Sequence, residues 1–280
     1  MFARLVTDFA LPALIFASLS LEPFHLDRLL PAFVLFLSIA ITMFFAWLIG
    51  RAMNLSKPVL GSVMLVAGVG SSSTLGYSIV RSLFDNDQHV MNLVVTMGEF
   101  GVILPLFTFG VMVAMYFGRQ EDMEHSAVSA LRLFVASPVF IATVLGIAFS
   151  YAPLDREQWL VDALYELFAI ISGSLDVLVA FAVGMMLRPI PLRQLAPLIL
   201  LVAGLKLVGE PVLVWLLADS FHLEVLESDL LVIEAAMPSG TIAAVLAARY
   251  GCDGAVASSL VVATYLLSLI ALPLVILFVL

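Results

Sequence analysis

Charge is scarce in this chain: 12 Lys and Arg and 21 Asp and Glu in 280 residues, 12% in all. An ordinary soluble domain carries about twice that share. The acids that remain gather in clusters such as Glu121-Asp122-Glu124 and Glu224-Glu227-Asp229, so the formal charge of −9 says little about partners. No basic stripe exists, which argues against nucleic acid as a partner. Cysteine is almost absent. Cys252 alone forms neither an intramolecular disulfide nor a cysteine metal cluster. His25, His89, His125 and His222 lie far apart with no HExxH pair, so no metal centre is expected. No Ser-His-Asp constellation falls in an apolar segment, and Gly68-x-Gly70 follows no strand and lacks the full dinucleotide spacing. Neither catalysis nor a bound cofactor is therefore expected. Short alternating segments are missing too, which excludes a transmembrane β-barrel.

What fills the chain is apolar. Hydrophobic residues make up 63% and the mean hydropathy is +1.16. Runs long enough to span a bilayer recur from end to end. The expectation is an all-α polytopic membrane protein with nine helices, near 4–20, 29–50, 58–83, 90–117, 128–150, 160–187, 195–218, 229–249 and 255–279. Asp8 and Pro12 inside the first run argue against a cleaved signal peptide. Lys and Arg in the short loops set orientation. With the N-terminus inside, Arg4, Arg51, Lys57, Arg119, Arg132, Arg188, Arg193 and Arg249 lie on the inner side, against Arg28, Arg81 and Arg156 outside. The N-terminus is expected in the cytoplasm and the C-terminus outside.

Two stretches resemble one another. Ser72-Ser73-Thr74 and Ser239-Gly240-Thr241 each interrupt an apolar segment, and each is followed at the same interval by Leu-Val-Val (Leu93 to Val95, Leu260 to Val262). Each run then reaches a Leu-Pro pair, Leu104-Pro105 or Leu272-Pro273, with one residue of slippage. The helices at 58–83 and 229–249 are five apart, an odd number, so the copies run in opposite directions across the membrane. Counting back, the second unit has five helices and the first only four. The partner of helix 128–150 is expected before Met1, so either the start of the chain is trimmed or misassigned or this is a nine-helix variant.

The first break reads Ala67-Gly68-Val69-Gly70-Ser71-Ser72-Ser73-Thr74-Leu75-Gly76, and seven of the ten are Gly, Ser or Thr. Such residues are poor material for a continuous helix. In lipid, unwound backbone is tolerated only inside protein or along a wet cavity. Unwinding leaves amide N–H groups at one half-helix start, which attract an anion, and carbonyls at the other half-helix end, which attract a cation. The competing explanation is close helix packing through small residues. The second break, Met237-Pro238-Ser239-Gly240-Thr241, contains a proline that removes a donor and clashes with the preceding turn. Paired interruptions point to a transporter's substrate site. The residues expected to line it are Ser71, Ser72, Ser73, Thr74, Pro238, Ser239, Gly240 and Thr241.

Ionisable residues at membrane depth are costly and default to functional hypotheses. Glu99, Asp176, Lys206, Glu210 and Glu234 fall within helices. Lys206 and Glu210 have the spacing to pair along one face, a purely structural arrangement. Asp176, after Ser172-Gly173-Ser174, and Glu99 are candidates for coupling to a proton or another cation. Glu234 lies one turn before Pro238, near the second break or at the membrane surface.

The segment Glu234-Ala-Ala-Met237-Pro238-Ser239-Gly240-Thr241, continuing through Val245-Leu246-Ala247-Ala248-Arg249-Tyr250-Gly251-Cys252-Asp253, resembles the auxin efflux carrier family in its bacterial branch. Phe9-Ala10-Leu11-Pro12-Ala13-Leu14-Ile15-Phe16 is similar to that family's second helix. The resemblance implies two inverted five-helix units with broken helices that cross, as in bile-acid and sodium symporters, and makes the missing helix the family's first. It implies transport of a small organic anion such as a carboxylate across a bacterial inner membrane. It also implies a scaffold from residues 1–28 and 118–193, a route to a homodimer, with a moving transport domain from 29–117 and 194–280. Ser71 and Ser78 stand where family members often carry Asn and Pro, and Ile242 where an Asn is frequent. Substrate and coupling ion, H+ or Na+, are therefore not carried over. Rival readings are a sodium-coupled symporter of the bile-acid type and a membrane sensor that binds a ligand without moving it.

Overall fold

The computed structural model describes residues 29–85, 87–118, 138–151 and 175–279, with scattered positions between 12 and 20, at 135 and 136, and between 163 and 170. Most of the helices expected at 4–20 and 160–187, and the start of that at 128–150, lie outside the described residues. What is described is a set of helices and the turns that join them, with one isolated bridge and no strand among the described residues.

Among the described residues four helices are long and apolar enough to cross a membrane: α1 (Leu29–Ala52), α4 (Gln88–Phe117), α7 (Leu192–Ser220) and α10 (Gly254–Val279). Their lipid-facing character shows in where the large apolar residues go. Phe44, Phe45 and Leu48 of α1 and Leu269, Leu274, Leu277 and Phe278 of α10 are exposed. No polar face competes for that surface, as expected of helices solvated by acyl chains. The inward stripe of α1 follows helical spacing, with Leu35, Ile39, Met43 and Ala46 all buried. Arg51 stacks on Trp47 at the end of α1, a placement suited to the membrane surface.

Between the long helices lie pairs of half-helices. α2 (Lys57–Gly68) opens at a proline in its first turn, and α3 (Tyr77–Leu83) is entered through a widened π turn, Ser72–Gly76. α8 (Val225–Ala235) starts with a capping box in which Glu224 and Glu227 satisfy each other's backbone amides, and α9 is Thr241–Arg249. Twelve helical residues reach only about 18 Å, short of a hydrocarbon core of about 30 Å. Each half-helix therefore needs its partner to complete a crossing. The helices expected at 58–83 and 229–249 are broken where the sequence placed the interruptions.

α5 (Pro138–Tyr151) and α6 (Leu175–Met186) stand at the side of this group. α5 packs on the Leu106–Gly110 turn of α4, and α6 on α9 and α10.

Two prolines inside the long helices stand beside widened turns, while Pro197 and Pro273 lie within regular α-helix. Pro105 sits between the π turns Glu99–Ile103 and Leu106–Gly110, and Pro211 directly follows the α7 π turn Gly204–Gly209. A widened turn re-routes the hydrogen bond that proline cannot make.

Where α2 and α10 begin, the backbones are fastened to one another. Asp253 N–H donates to Pro58 O at 3.1 Å, and Ser62 Oγ donates to Asp253 O at 2.9 Å. Gly118, at the end of α4, lies directly against the Tyr250 carbonyl, with no room for a Cβ. Gly251 takes a φ of 87° in the α9–α10 turn, a conformation that favours glycine.

Candidate functional site

The two breaks meet. Gly70 and Ser239 form an antiparallel bridge, held by Ser71 N–H to Pro238 O at 2.9 Å and Gly240 N–H to Val69 O at 2.8 Å. Residues that leave their own helices thus satisfy each other's backbone groups, which lipid could not do. Close approach demands small residues here: a Cβ on Gly240 would stand 2.9 Å from Gly70 O.

Helix α10 clamps both breaks from one side. Ser71 Oγ and Tyr265 Oη are 2.9 Å apart, and Ser239 N–H donates to Thr264 Oγ1 at 3.3 Å. Adjacent residues of one helix therefore hold one break each. On another side the breaks face α4 across a cavity of about 20 Å³, lined by Val69, Gly70, Ser71, Ser72, Ser73, Val102, Ile103, Leu106, Gly240, Thr241 and Ile242. That is room for about one water molecule. The first turns of both second halves, Ser72–Ser73 and Thr241, contribute to the lining, and first-turn amides have no partner within their own helix.

Of the residues expected at the site, Ser71, Ser72, Ser73, Gly240 and Thr241 line this cavity. Pro238 and Ser239 belong instead to the bridge, through backbone. Thr74 lies within the π turn, but its side chain is outside the described set. Ser72 and Ser239 are buried, and their hydroxyls have no hydrogen-bond partner among the described residues.

Around the crossing stands a buried ionisable group. Lys206 Nζ and Glu210 Oε2 are 2.7 Å apart with both side chains 1% exposed, which bears out the expected pairing. Lys206 Nζ also presses on the crossing itself, 3.0 Å from where a Gly70 Cβ would be. The Glu234 carboxylate lies against Gly76 in the first break's π turn, and neither of its oxygens has a hydrogen-bond partner among the described residues. Glu234 is therefore at the second break's end and buried, not at the surface. Glu99 is buried on α4 and accepts from Tyr77 Oη at 3.4 Å, while the Tyr77 ring rests on Gly98. Asp176 falls in the first turn of α6, with its side chain outside the described set.

A larger cavity, about 460 Å³, lies elsewhere, among Ser56, Pro58, Met186, Arg188, Cys252 and Asp253 where α2 and α10 begin. It includes none of the break residues and does not replace the crossing as the centre of interest.

The sequence alone did not disclose Tyr265 and Thr264, nor that Lys206 touches the first break. Hydroxyls on α10 carry no signal beyond their polarity, and the i, i+4 spacing of Lys206 and Glu210 explained that lysine locally.

The model for membrane transport proteins matches residues 1–276, nearly the whole chain. The chain belongs to the membrane transport protein family. The auxin efflux carrier resemblance drawn from Glu234 to Asp253 is thereby borne out over the full length. Two archaeal relatives are similar throughout. An uncharacterized transporter of Methanothermobacter thermautotrophicus is 25% identical over 273 residues, 97% of this chain and 86% of the relative. Another from Methanocaldococcus jannaschii is 23% identical over 275 residues, with the same coverage. The protein is an integral membrane transport protein of the family, and not an enzyme.

Proposed function

We propose that this family member is an alternating-access secondary transporter of a small organic anion, a carboxylate, bound where the two broken helices cross. The observation that carries the reading is the convergence of two half-helix N-terminal turns, at Ser72–Ser73 and Thr241, on one cavity inside the protein. Both present amide donors and the positive end of a helix dipole, the chemistry a carboxylate needs. A cavity of about 20 Å³ is too small for such an anion, so the crossing is closed in this conformation.

Opening requires movement of what lies over it. In this reading residues 29–117 and 194–280 move together, and 1–28 with 118–193 form the scaffold, with a homodimer made through scaffold helices. α5 packs on the same α4 turn that supplies Leu106 to the cavity, so sliding at that contact would uncover the crossing. In this reading the membrane is a bacterial inner membrane and the N-terminus lies in the cytoplasm, an orientation that the lysine and arginine bias supports.

The test is uptake into liposomes of a panel of radiolabelled mono- and dicarboxylates by the purified protein, then by Ser73→Ala and Thr241→Ala. At least one panel member should be accumulated, and each substitution should lower its uptake about tenfold, the worth of one lost hydrogen bond to a charged group. Transport unchanged in both variants would overturn the site, and binding without counterflow would favour a sensor.

A further inference from the structure

The ammonium of Lys206 stands in an unusual place. It is buried, carried on the widened turn Gly204–Gly209 of α7, and set against Gly70 at the crossing. The Gly70 position has nothing to spare, since the point a Cβ would fill is 3.0 Å from Nζ and 3.8 Å from the Glu234 carbonyl oxygen. Lys206 is absent from the residues that line the small cavity, whose far wall is α4. It therefore sits behind the crossing.

Two helices end at that place. α2 stops at Gly68 and α8 at Ala235, so the carbonyl ends of two half-helices converge there. Each end leaves carbonyls without intrahelical partners and carries roughly half a negative charge. The buried carboxylates Glu210 and Glu234 add to it. Glu210 Oε2 is held by Lys206 at 2.7 Å, and Glu234 lies within electrostatic reach of the same lysine. Among the described residues Lys206 is the buried basic side chain that answers all of this. Without a positive charge behind the crossing, two helix ends and two carboxylates would face each other in a medium that screens poorly.

We propose that Lys206 is a tethered cation: its ammonium fills the place behind the crossing that a free monovalent metal ion would otherwise take. The protein then binds no sodium ion there, and the positive charge stays with the chain through every conformation. The inference deepens the transport reading and rests on it for that consequence. A transported anion would cross without a sodium ion travelling beside it.

The experiment reads ion binding in detergent solution and needs no substrate, so it can fail while the transport reading stands, or the reverse. Melting temperatures are measured for the purified protein in sodium chloride and in choline chloride at matched ionic strength. The wild type should show no difference between the two. Lys206→Ala should melt lower in choline, and sodium or propylammonium, which restores the missing side-chain atoms, should raise it by roughly 2–4 °C in a saturable way. A saturable sodium shift in the wild type overturns the proposal. So does a Lys206→Ala protein that responds to neither cation. Should that variant fail to fold, Lys206→Gln takes its place with the same expected sodium response, because it keeps a donor for Glu210 but no charge.

Discussion

The first break leaves its helix through an extended Val69–Gly70 and re-enters helix through a π turn of serines, while the second does so through Met237-Pro238-Ser239-Gly240 and starts α9 cleanly at Thr241. The first has side chains to offer: Ser71 bonds to Tyr265, and Ser72 and Ser73 line the cavity. The second works mostly with backbone, giving Pro238 O and Gly240 N–H to the bridge and Ser239 N–H to Thr264. The first break thus supplies most of the hydroxyls at the cavity, with Thr241 the second break's share, while the second break supplies more of the backbone join. Two breaks that meet need not divide their labour evenly.

The sharpest way to break the comparison is at Gly240. A side chain there meets the backbone of Gly70, which has no rotamer to retreat into. Gly240→Val should destabilise the protein by about 3 kcal/mol, enough to lose much of the monodisperse material in detergent gel filtration. A variant that purified and melted like wild type would show that the two breaks do not depend on their contact.

A smaller effect is expected at Gly76, where the obstacle is the Glu234 carboxylate and not backbone. Gly76→Ala should cost about 1–2 kcal/mol, because a flexible side chain can shift. Combining it with Glu234→Ala should recover part of the loss, and a double-mutant cycle on melting temperatures would measure that coupling. Additive effects would mean that the first break's π turn does not feel the second break's acid.

Least is expected of Pro238→Ala. α8 has already ended at Ala235, three residues earlier, and the proline's carbonyl, which bonds Ser71, survives the substitution. The change in stability should stay within about 1 kcal/mol. A loss several times larger would make the proline's fixed φ, and not the glycine's size, the feature that sets the second break.

The sequence made the breaks legible because their composition is local: glycine, serine, threonine and proline declare unfavourable helix wherever they gather. Glu234 and Glu99 were visible for the same reason, as charges in apolar runs. What joins the breaks was hidden. Tyr265 and Thr264 act across 194 and 25 residues of chain, and such pairings leave no spacing to read. The π turns left only an indirect trace, a proline close by in Pro105 and Pro211. Lys206 was seen and its pairing with Glu210 was legible, but a partner four residues away accounts for a lysine so well that nothing in the sequence pointed on to Gly70.

The fastening of Asp253 to Pro58 and Ser62, and of Gly118 to Tyr250, bears on how such a molecule can move. These joints pin the beginnings of α2 and α10 and the end of α4 together, away from the crossing, where α2 ends and the middle of α10 clamps both breaks. A rod held at two points along its length cannot pivot on either. In the proposed transport cycle these helices would then travel as one body, like a piston, sliding past α5 and α6.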